Sequence, residues 1–238
     1  MHMLIFIKKQ NAVLLLVVMA VLVFTAGLAV RTKAVPTGVT LSGRRIVVDA
    51  GHGEPDDGAV GPAGVAEQAI NLTIARFLQE QLEKAGMEVV MTRQAAEGIY
   101  DGGLSTVREK KRSDLYNREK VMNHSDADLF VSIHLNKFSE SRYSGPQVFY
   151  SPNQPDSEQA ATYIQESLIS VLSPPSRREI KKSTDDIFLL KQAKIPAVLV
   201  ECGFLSNPQE EALLLDKTYQ KKVALAIYQG IVSYLTKA

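Results

Sequence analysis

The apolar positions of the chain form one long continuous stretch followed by many short, separated segments. Residues 12–30 (AVLLLVVMAVLVFTAGLAV) are apolar on all faces, unlike a helix that packs one side against a core. At a rise of about 1.5 Å per residue, a helix of this length just spans the hydrocarbon core of a bilayer. Lys8 and Lys9 precede the stretch, which favours a cytoplasmic location for residues 1–11. The pattern therefore predicts one N-terminal transmembrane helix.

A secretory signal peptide is the alternative interpretation of this stretch, because Gly27-Leu28-Ala29 offers a small-x-small cleavage site. The apolar run is long for a cleaved signal, so we favour an uncleaved signal-anchor. Residues 31–43 contain Pro36 and two glycines and are predicted to form a linker. Both interpretations place the remaining domain, residues 44–238, outside the cytoplasm.

Beyond the linker, short β-branched runs alternate with segments whose apolar residues have helical spacing. Such an alternation is typical of right-handed βαβ units with parallel strands. Strands are predicted near residues 46–49, 87–92, 128–136, 147–150, 187–191 and 197–202, and helices near residues 65–84, 108–123, 157–172 and 217–237, with another helix starting at Asn207-Pro208. We therefore expect a single α/β domain in which helices cover both faces of a mostly parallel, twisted sheet of about six strands.

Composition changes this picture little. Hydrophobic residues make up 45% of the chain and charged residues 22%, which is enough to build a sizeable core. The net charge of +1 gives no general attraction to nucleic acid. A single cysteine, Cys202, excludes an internal disulfide.

Four polar side chains occupy related places in the predicted fold. His52 follows the first strand between two glycines, and His134 and Glu201 lie near the carboxyl ends of two later strands. Glu67 lies at the start of the first helix of the domain, on the helix face that turns toward the core. In a doubly wound sheet, these places converge on one edge. We therefore expect the four side chains to form one site.

Two imidazoles and one carboxylate are the protein ligands of an open catalytic zinc site. Zinc makes water acidic and polarises a carbonyl, and a second glutamate can carry the proton of that water to a leaving amine. The combination predicts zinc-dependent hydrolysis of an amide. Cys202 directly follows Glu201, so its side chain is expected on the opposite face of the strand, as a small buried apolar group.

Five motifs occur in order along the chain: Asp49-Ala50-Gly51-His52-Gly53, Glu67 with Asn71-Leu72, Met91-Thr92-Arg93, Ser132-Ile133-His134-Leu135-Asn136, and Val200-Glu201-Cys202-Gly203-Phe204-Leu205-Ser206-Asn207. They resemble those of the zinc-dependent N-acetylmuramoyl-L-alanine amidases of the amidase 3 type, and the resemblance extends over about residues 41–235. Within that family, residues 118–136, Ser144-Gly145-Pro146-Gln147 and the layout of an anchor followed by one domain look most like the amidases of the spore-cortex pathway. Five motifs in the same order are specific, although each alone is not.

The resemblance implies a role for each of the four side chains. His52, Glu67 and His134 correspond to zinc ligands, and Glu201 corresponds to the catalytic glutamate. The implied reaction cleaves the amide between the lactyl group of muramic acid and L-alanine in peptidoglycan.

Further polar residues in or near the motifs are candidates to contact substrate or to orient the ligands. They are Asp49, Glu54, Asn71, Arg118 and Asn136. The sequence departs from the family pattern at three positions. Ala50 replaces a usual proline, Glu54 replaces a usual glycine, and Cys202 replaces a more typical apolar residue.

The resemblance also implies partners. Only about ten residues separate Asn136 from Gln147, too few for the plugging helix that some family members insert there. Control is therefore expected from the membrane anchor, from the timing of expression or from a partner, such as an activator lipoprotein. In the spore cortex, a peptidoglycan deacetylase would act on the product, and muramic lactam would form.

Two alternative functions share these residues. A zinc carboxypeptidase that trims the stem peptides of peptidoglycan would use the same ligands and the same glutamate. A peptidoglycan-binding protein without activity would keep the fold, but the presence of all four site residues argues against it.

Overall fold

A computed structural model describes residues 41–184 and 186–236 of the chain. The predicted transmembrane segment at residues 12–30 and most of the linker lie outside the described residues. None of the described helices is long and apolar enough to cross a membrane. The strands are β1 (Arg45–Ala50), β2 (Glu88–Met91), β3 (Leu129–Asn136), β4 (Gln147–Tyr150), β5 (Lys181–Lys182) and β6 (Ala197–Phe204). The helices are α1 (Glu67–Lys84), α2 (Val107–Asn123), α3 (Asp156–Leu172), α4 (Phe188–Gln192), α5 (Pro208–Leu215) and α6 (Lys217–Thr236).

The described strands form one sheet of six strands in the order β2-β1-β3-β6-β4-β5. β1 pairs in parallel with β2 and β3, β3 pairs in parallel with β6, and β4 pairs in parallel with β5. Only the β4–β6 pair is antiparallel, so the sheet is mixed. The prediction of a mostly parallel, six-stranded α/β domain is confirmed, with one reversal in the second half of the sheet.

Alternation along the strands divides the core into two layers. In β1, the fully buried Ile46 and Val48 belong to an apolar cluster with residues of α1, α3 and α6. Val47 between them points to the other face, where it belongs to a cluster with Phe130, Leu190 and residues of α2. Helices therefore cover both faces of the sheet, as predicted.

Two helices begin at clear sequence signals, whereas the start of α1, which matters for the site, does not. Thr106 and Glu109 form a capping box at the start of α2, and Asn207 caps α5 in front of Pro208. α1 has no side-chain cap at Ala66. The preceding loop satisfies this helix end instead, because the backbone N–H of Glu67 donates to the Ala59 carbonyl at 2.8 Å.

One predicted element is wrong. Residues 187–191, expected as a strand, belong mainly to the short helix α4, and the strand at this edge of the sheet is Lys181–Lys182. The consecutive residues Leu189 and Leu190 are both buried in the cluster that includes Phe130, which a helix achieves and a one-sided strand does not. Two exposed lysines form the edge strand, a composition that discourages further strand pairing.

Candidate active site

Three side chains from separate elements meet at the carboxyl edge of the sheet. His52 follows β1, Glu67 begins α1, and His134 lies near the end of β3. His134 Nδ1 is 3.0 Å from Glu67 Oε1, and His52 Nε2 is 3.3 Å from Glu67 Oε2. The potential ligand atoms of all three lie within 4.8 Å of one another. The convergence predicted from their places in the fold is therefore observed.

Glycines provide the space for this cluster. At Gly51, an added Cβ would overlap the His134 imidazole. At Gly58, which has a φ of +69°, an added Cβ would lie 2.6 Å from both Glu67 Oε2 and His52 Cδ2. A side chain at either position would displace the groups that face the site, so the turn depends on glycine here.

The Glu67 carboxylate is oriented by neutral donors. Oε2 accepts the backbone N–H of Ala59 at 2.8 Å, and Oε1 accepts the backbone N–H of Leu135 at 2.9 Å and Nδ2 of Asn71 at 3.1 Å. Burial would raise the pKa of Glu67, but bonds to His134 and His52 hold that pKa well below its usual range. The carboxylate is thus ionised, which is the form that binds a metal.

Asp56 orients the His52 ring through Nδ1, the ring nitrogen that does not face Glu67. Asp56 Oδ2 is 2.8 Å from His52 Nδ1, and Lys111 of α2 is 2.9 Å from the same oxygen. Burial lowers the pKa of His52, but the bonds to Asp56 and Glu67 outweigh it and raise this pKa to about 9. Asp56 was not singled out by the sequence analysis. The available signal was a carboxylate four residues after a candidate ligand histidine.

The backbone that carries His52 is held by two buried arginines. Arg118 of α2 donates to the carbonyls of Ala50 and His52 and forms ion pairs at 2.6 Å with both Asp49 and Asp114. Asp49 is fully buried and also accepts Thr92 Oγ1 at 2.7 Å and Ser132 Oγ at 2.5 Å.

Arg93 is the second of these arginines, and its role was not predicted. It donates to the carbonyls of Ala50, Gly51 and Gln68 at 2.7 to 3.1 Å. Arg93 acts through backbone oxygens, which leave no pattern in a sequence.

Glu201 lies beside the three ligand candidates on the next strand. It is the register partner of His134 in the parallel β3–β6 pair, so the two side chains share a face. Its Oε2 is buried and has no hydrogen-bond partner among the described residues. Burial raises the pKa of Glu201 to about 7; His134 opposes this shift and Glu67 adds to it. A carboxylate with such a pKa is suited to accept and release a proton near neutral pH.

The remaining predicted residues contribute in different ways. Asn71 is fully buried and bonds both Glu67 and the Gly51 carbonyl. Glu54 is exposed, and its backbone joins the His52 turn to the loop at Ala96 and Gly98. Asn136 ends β3 half-buried. Cys202 is buried in the apolar cluster on the face opposite Glu201, as predicted.

The donor set fits a metal ion. Two imidazoles and an ionised carboxylate converge, neighbouring groups orient them, and a second carboxylate with a buried, unpartnered oxygen lies beside them. Three protein ligands leave coordination positions open for water or substrate.

Comparison with known proteins identifies the family. The family described as N-acetylmuramoyl-L-alanine amidase (Amidase_3) matches residues 46–233. The germination-specific N-acetylmuramoyl-L-alanine amidase of Bacillus subtilis is 39% identical over 202 residues, which cover 85% of this chain and 84% of that protein.

Solved structures of N-acetylmuramoyl-L-alanine amidases are similar to this chain in fold and sequence. The CwlD amidase of Clostridioides difficile, in complex with the GerS lipoprotein, has a TM-score of 0.78 and 44% identity, covering 82% of this chain and 100% of that one. An N-acetylmuramoyl-L-alanine amidase from Clostridium difficile 630 has a TM-score of 0.72 and 30% identity, covering 81% and 97%. Because the family match covers most of the chain and all four site residues, the chain belongs to the amidase 3 family of N-acetylmuramoyl-L-alanine amidases.

Proposed function

We propose that the protein hydrolyses the amide between the lactyl carbonyl of N-acetylmuramic acid and the L-alanine of the peptidoglycan stem peptide. The observation that carries this proposal is the cluster of His52, Glu67 and His134 with Glu201 on the adjacent strand. The family match, which spans all four residues, supports the same reaction.

His52, Glu67 and His134 would hold a zinc ion in this site. When bound, zinc would act as a Lewis acid that polarises the amide carbonyl and lowers the pKa of water, so that the water can attack this carbonyl near neutral pH. Glu201 takes a proton from the attacking water and gives it to the alanine nitrogen as the C–N bond breaks. The products are a free lactyl carboxylate and a peptide with a free α-amine.

We place this reaction in spore cortex maturation. The support is the germination-specific amidase of Bacillus subtilis, which is 39% identical over most of both chains. The reaction supplies the carboxylate that a muramic lactam needs. A peptidoglycan deacetylase acting on the product would supply the amine.

The proposed location is outside the cytoplasm, because peptidoglycan is the substrate. Residues 12–30 would then anchor the protein in the membrane or direct its secretion, as their apolar composition indicates. A lipoprotein partner is part of the proposal, since the CwlD amidase was solved in complex with the GerS lipoprotein. Full activity of the purified chain with zinc alone would contradict the need for such an activator.

Product analysis tests the reaction itself. The purified full chain, loaded with zinc and assayed with and without a lipoprotein partner, is incubated with peptidoglycan, and the fragments are identified by mass spectrometry. We expect glycan strands with free lactyl carboxylates and intact stem peptides. Shortened peptides still attached to the glycan would instead identify a carboxypeptidase, and unchanged peptidoglycan under both conditions would contradict the proposed reaction.

A further inference from the structure

The site continues beyond Glu201 onto the reversed strand β4. Gln147, the first residue of β4, is the register partner of Glu201 in the antiparallel β4–β6 pair. Residues directly opposite each other in such a pair project from the same face of the sheet, with Cβ atoms about 5 Å apart. The Gln147 side chain therefore lies next to Glu201, on the side away from the metal ligands.

Gln147 holds an arginine in place. Arg178 Nε and Nη2 both donate to Gln147 Oε1, at 3.0 and 2.9 Å. Gln147 Nε2 donates to the Glu179 carbonyl at 2.9 Å, which fixes the amide so that its oxygen faces Arg178. The guanidinium carbon also lies 5.1 Å from the centroid of the Phe204 ring, near the end of β6. Arg178 is thus fixed from two sides.

The charge of this arginine is not balanced by an ion pair within residues 41–184 and 186–236. Arg118, by contrast, has two carboxylate partners. Glu210 is close enough to interact electrostatically with Arg178, but its two oxygens accept the backbone N–H groups of Gly145 and Phe204. Arg178 is half-buried, and both of its bonds go to one neutral oxygen. The remaining N–H groups of the fork can bind a carboxylate from outside the chain.

We propose that Arg178 binds a carboxylate of the stem peptide and thereby fixes the direction in which the substrate lies across the site. This inference rests on the proposed amidase reaction and names a subsite for it. Before cleavage, the lactyl group is an amide, so the carboxylates of a muramoyl peptide are all on its peptide side. The cation beyond Glu201 consequently places the leaving peptide over β4, and the glycan lies toward His52 and β1.

Binding measurements test the subsite without requiring turnover. The probes are N-acetylmuramoyl-L-alanyl-D-glutamate and the same compound with both carboxylates converted to amides. Their affinities are measured by calorimetry on the zinc-loaded full chain carrying Glu201→Gln, alone and combined with Arg178→Gln, Arg178→Lys or Arg177→Gln. Arg177 is exposed and adjacent, so its substitution removes the same charge next to the proposed subsite.

Arg178→Gln is expected to weaken binding of the acid about tenfold or more, because a charge-assisted hydrogen bond is lost, and binding of the diamide less than twofold. Arg178→Lys should retain part of the affinity for the acid, and Arg177→Gln all of it. Equal losses for both probes, no loss for either, or the same loss with Arg177→Gln would overturn the proposal. If Arg178→Gln does not fold, the acid-to-diamide ratio with Arg178→Lys decides between these outcomes.

The amidase reaction is tested separately by the products of the chain without the Glu201 substitution. Absence of those products, together with discrimination between the two probes, would refute the reaction and leave a carboxylate subsite. The expected products without such discrimination would refute only the subsite.

Discussion

Glu201 and Glu67 are both glutamates at one site, and their surroundings give them opposite properties. Glu67 accepts bonds from two backbone N–H groups and stays ionised, as a ligand requires. Glu201 has a buried oxygen without such donors, and burial raises its pKa to about 7. These environments support the proposed roles of Glu67 in metal binding and of Glu201 in proton transfer.

Replacing Glu201 by glutamine should separate these roles. The amide is nearly isosteric but cannot take up a proton, so we expect normal zinc content and a loss of turnover on the order of 10² to 10⁴-fold. Metal analysis and product formation measure the two effects. Cys202→Ala is the matched control, because Cys202 lies on the opposite face of the same strand. Turnover of the glutamine variant near that of the unmodified protein would refute the proton-transfer role.

Replacing Asp56 by alanine should weaken zinc binding roughly tenfold to a hundredfold, because the group that orients the His52 ring is lost. Competition with a chromogenic chelator measures the affinity. The neighbouring Asp57 is exposed, and Asp57→Ala should leave the affinity unchanged. Equal affinities for all three proteins would show that Asp56 does not position the histidine.

At the level of elements, substitutions in the loop between β1 and α1 can test whether the proposed metal ligands need the space that a glycine leaves beside them. Gly58 and Gly64 both have positive φ values, +69° and +76°, so alanine at either costs about 1 kcal/mol or more in backbone strain. Only at Gly58 would the new methyl group meet Glu67 and His52, whereas nothing lies within 4 Å at Gly64. Gly58→Ala should therefore reduce zinc affinity, and Gly64→Ala should reduce stability alone. Chelator competition and thermal unfolding distinguish the two effects, and equal zinc affinities would contradict the steric argument.

α2 is fastened to the sheet by a buried charge network. Arg118→Met should destabilise the fold by about 3 to 5 kcal/mol, because Asp49 and Asp114 would remain buried without their shared cation. Urea unfolding measures the change. Arg108→Met, on the exposed face of the same helix, should change the stability by less than about 0.5 kcal/mol. A small effect at Arg118 would mean that water or a proton compensates the two carboxylates.

The sequence predicted those elements whose apolar period is long or whose ends carry strong signals. α5, with Asn207 before Pro208, is an example. The sequence did not predict α4, because a segment of only five mostly apolar residues fits a strand and a helix equally well. The burial of both Leu189 and Leu190 in the structure is what a helix achieves. β5 escaped notice because two lysines form it.

The residues of the site, like the elements, include some that the sequence predicts and some that it does not. His52, Glu67, His134 and Glu201 were found because strand and helix ends have a predictable place in an α/β fold. Asp56 and Arg178 were not singled out, and Arg93 was noted only as part of a motif, because these residues act through contacts whose partners the sequence does not reveal.

At the level of the whole molecule, contacts within the protein itself fix the backbone of the site. Arg93 and Arg118 bind the carbonyls of residues 50–52, and the apolar cores lie below the site. Removal of zinc by a chelator should therefore leave the far-ultraviolet circular dichroism unchanged at 25 °C, unlike in a zinc finger. The melting temperature should fall, since a ligand that binds only the folded state contributes about 4 kcal/mol at a thousandfold excess over its Kd. Loss of secondary structure on chelation would contradict this expectation.

The reversal of β4 has a consequence for how this architecture can diversify. Because β4 runs against β6, the end of β3 at Asn136 and the start of β4 at Gln147 lie at the same edge of the sheet. The segment that joins them, residues 137–146, leaves the site edge and returns to it without crossing the domain, and it contains no helix. Lengthening a surface loop costs little free energy. New sequence inserted here would therefore extend from the same edge of the sheet as the proposed metal ligands, and it would leave the register of all six strands unchanged.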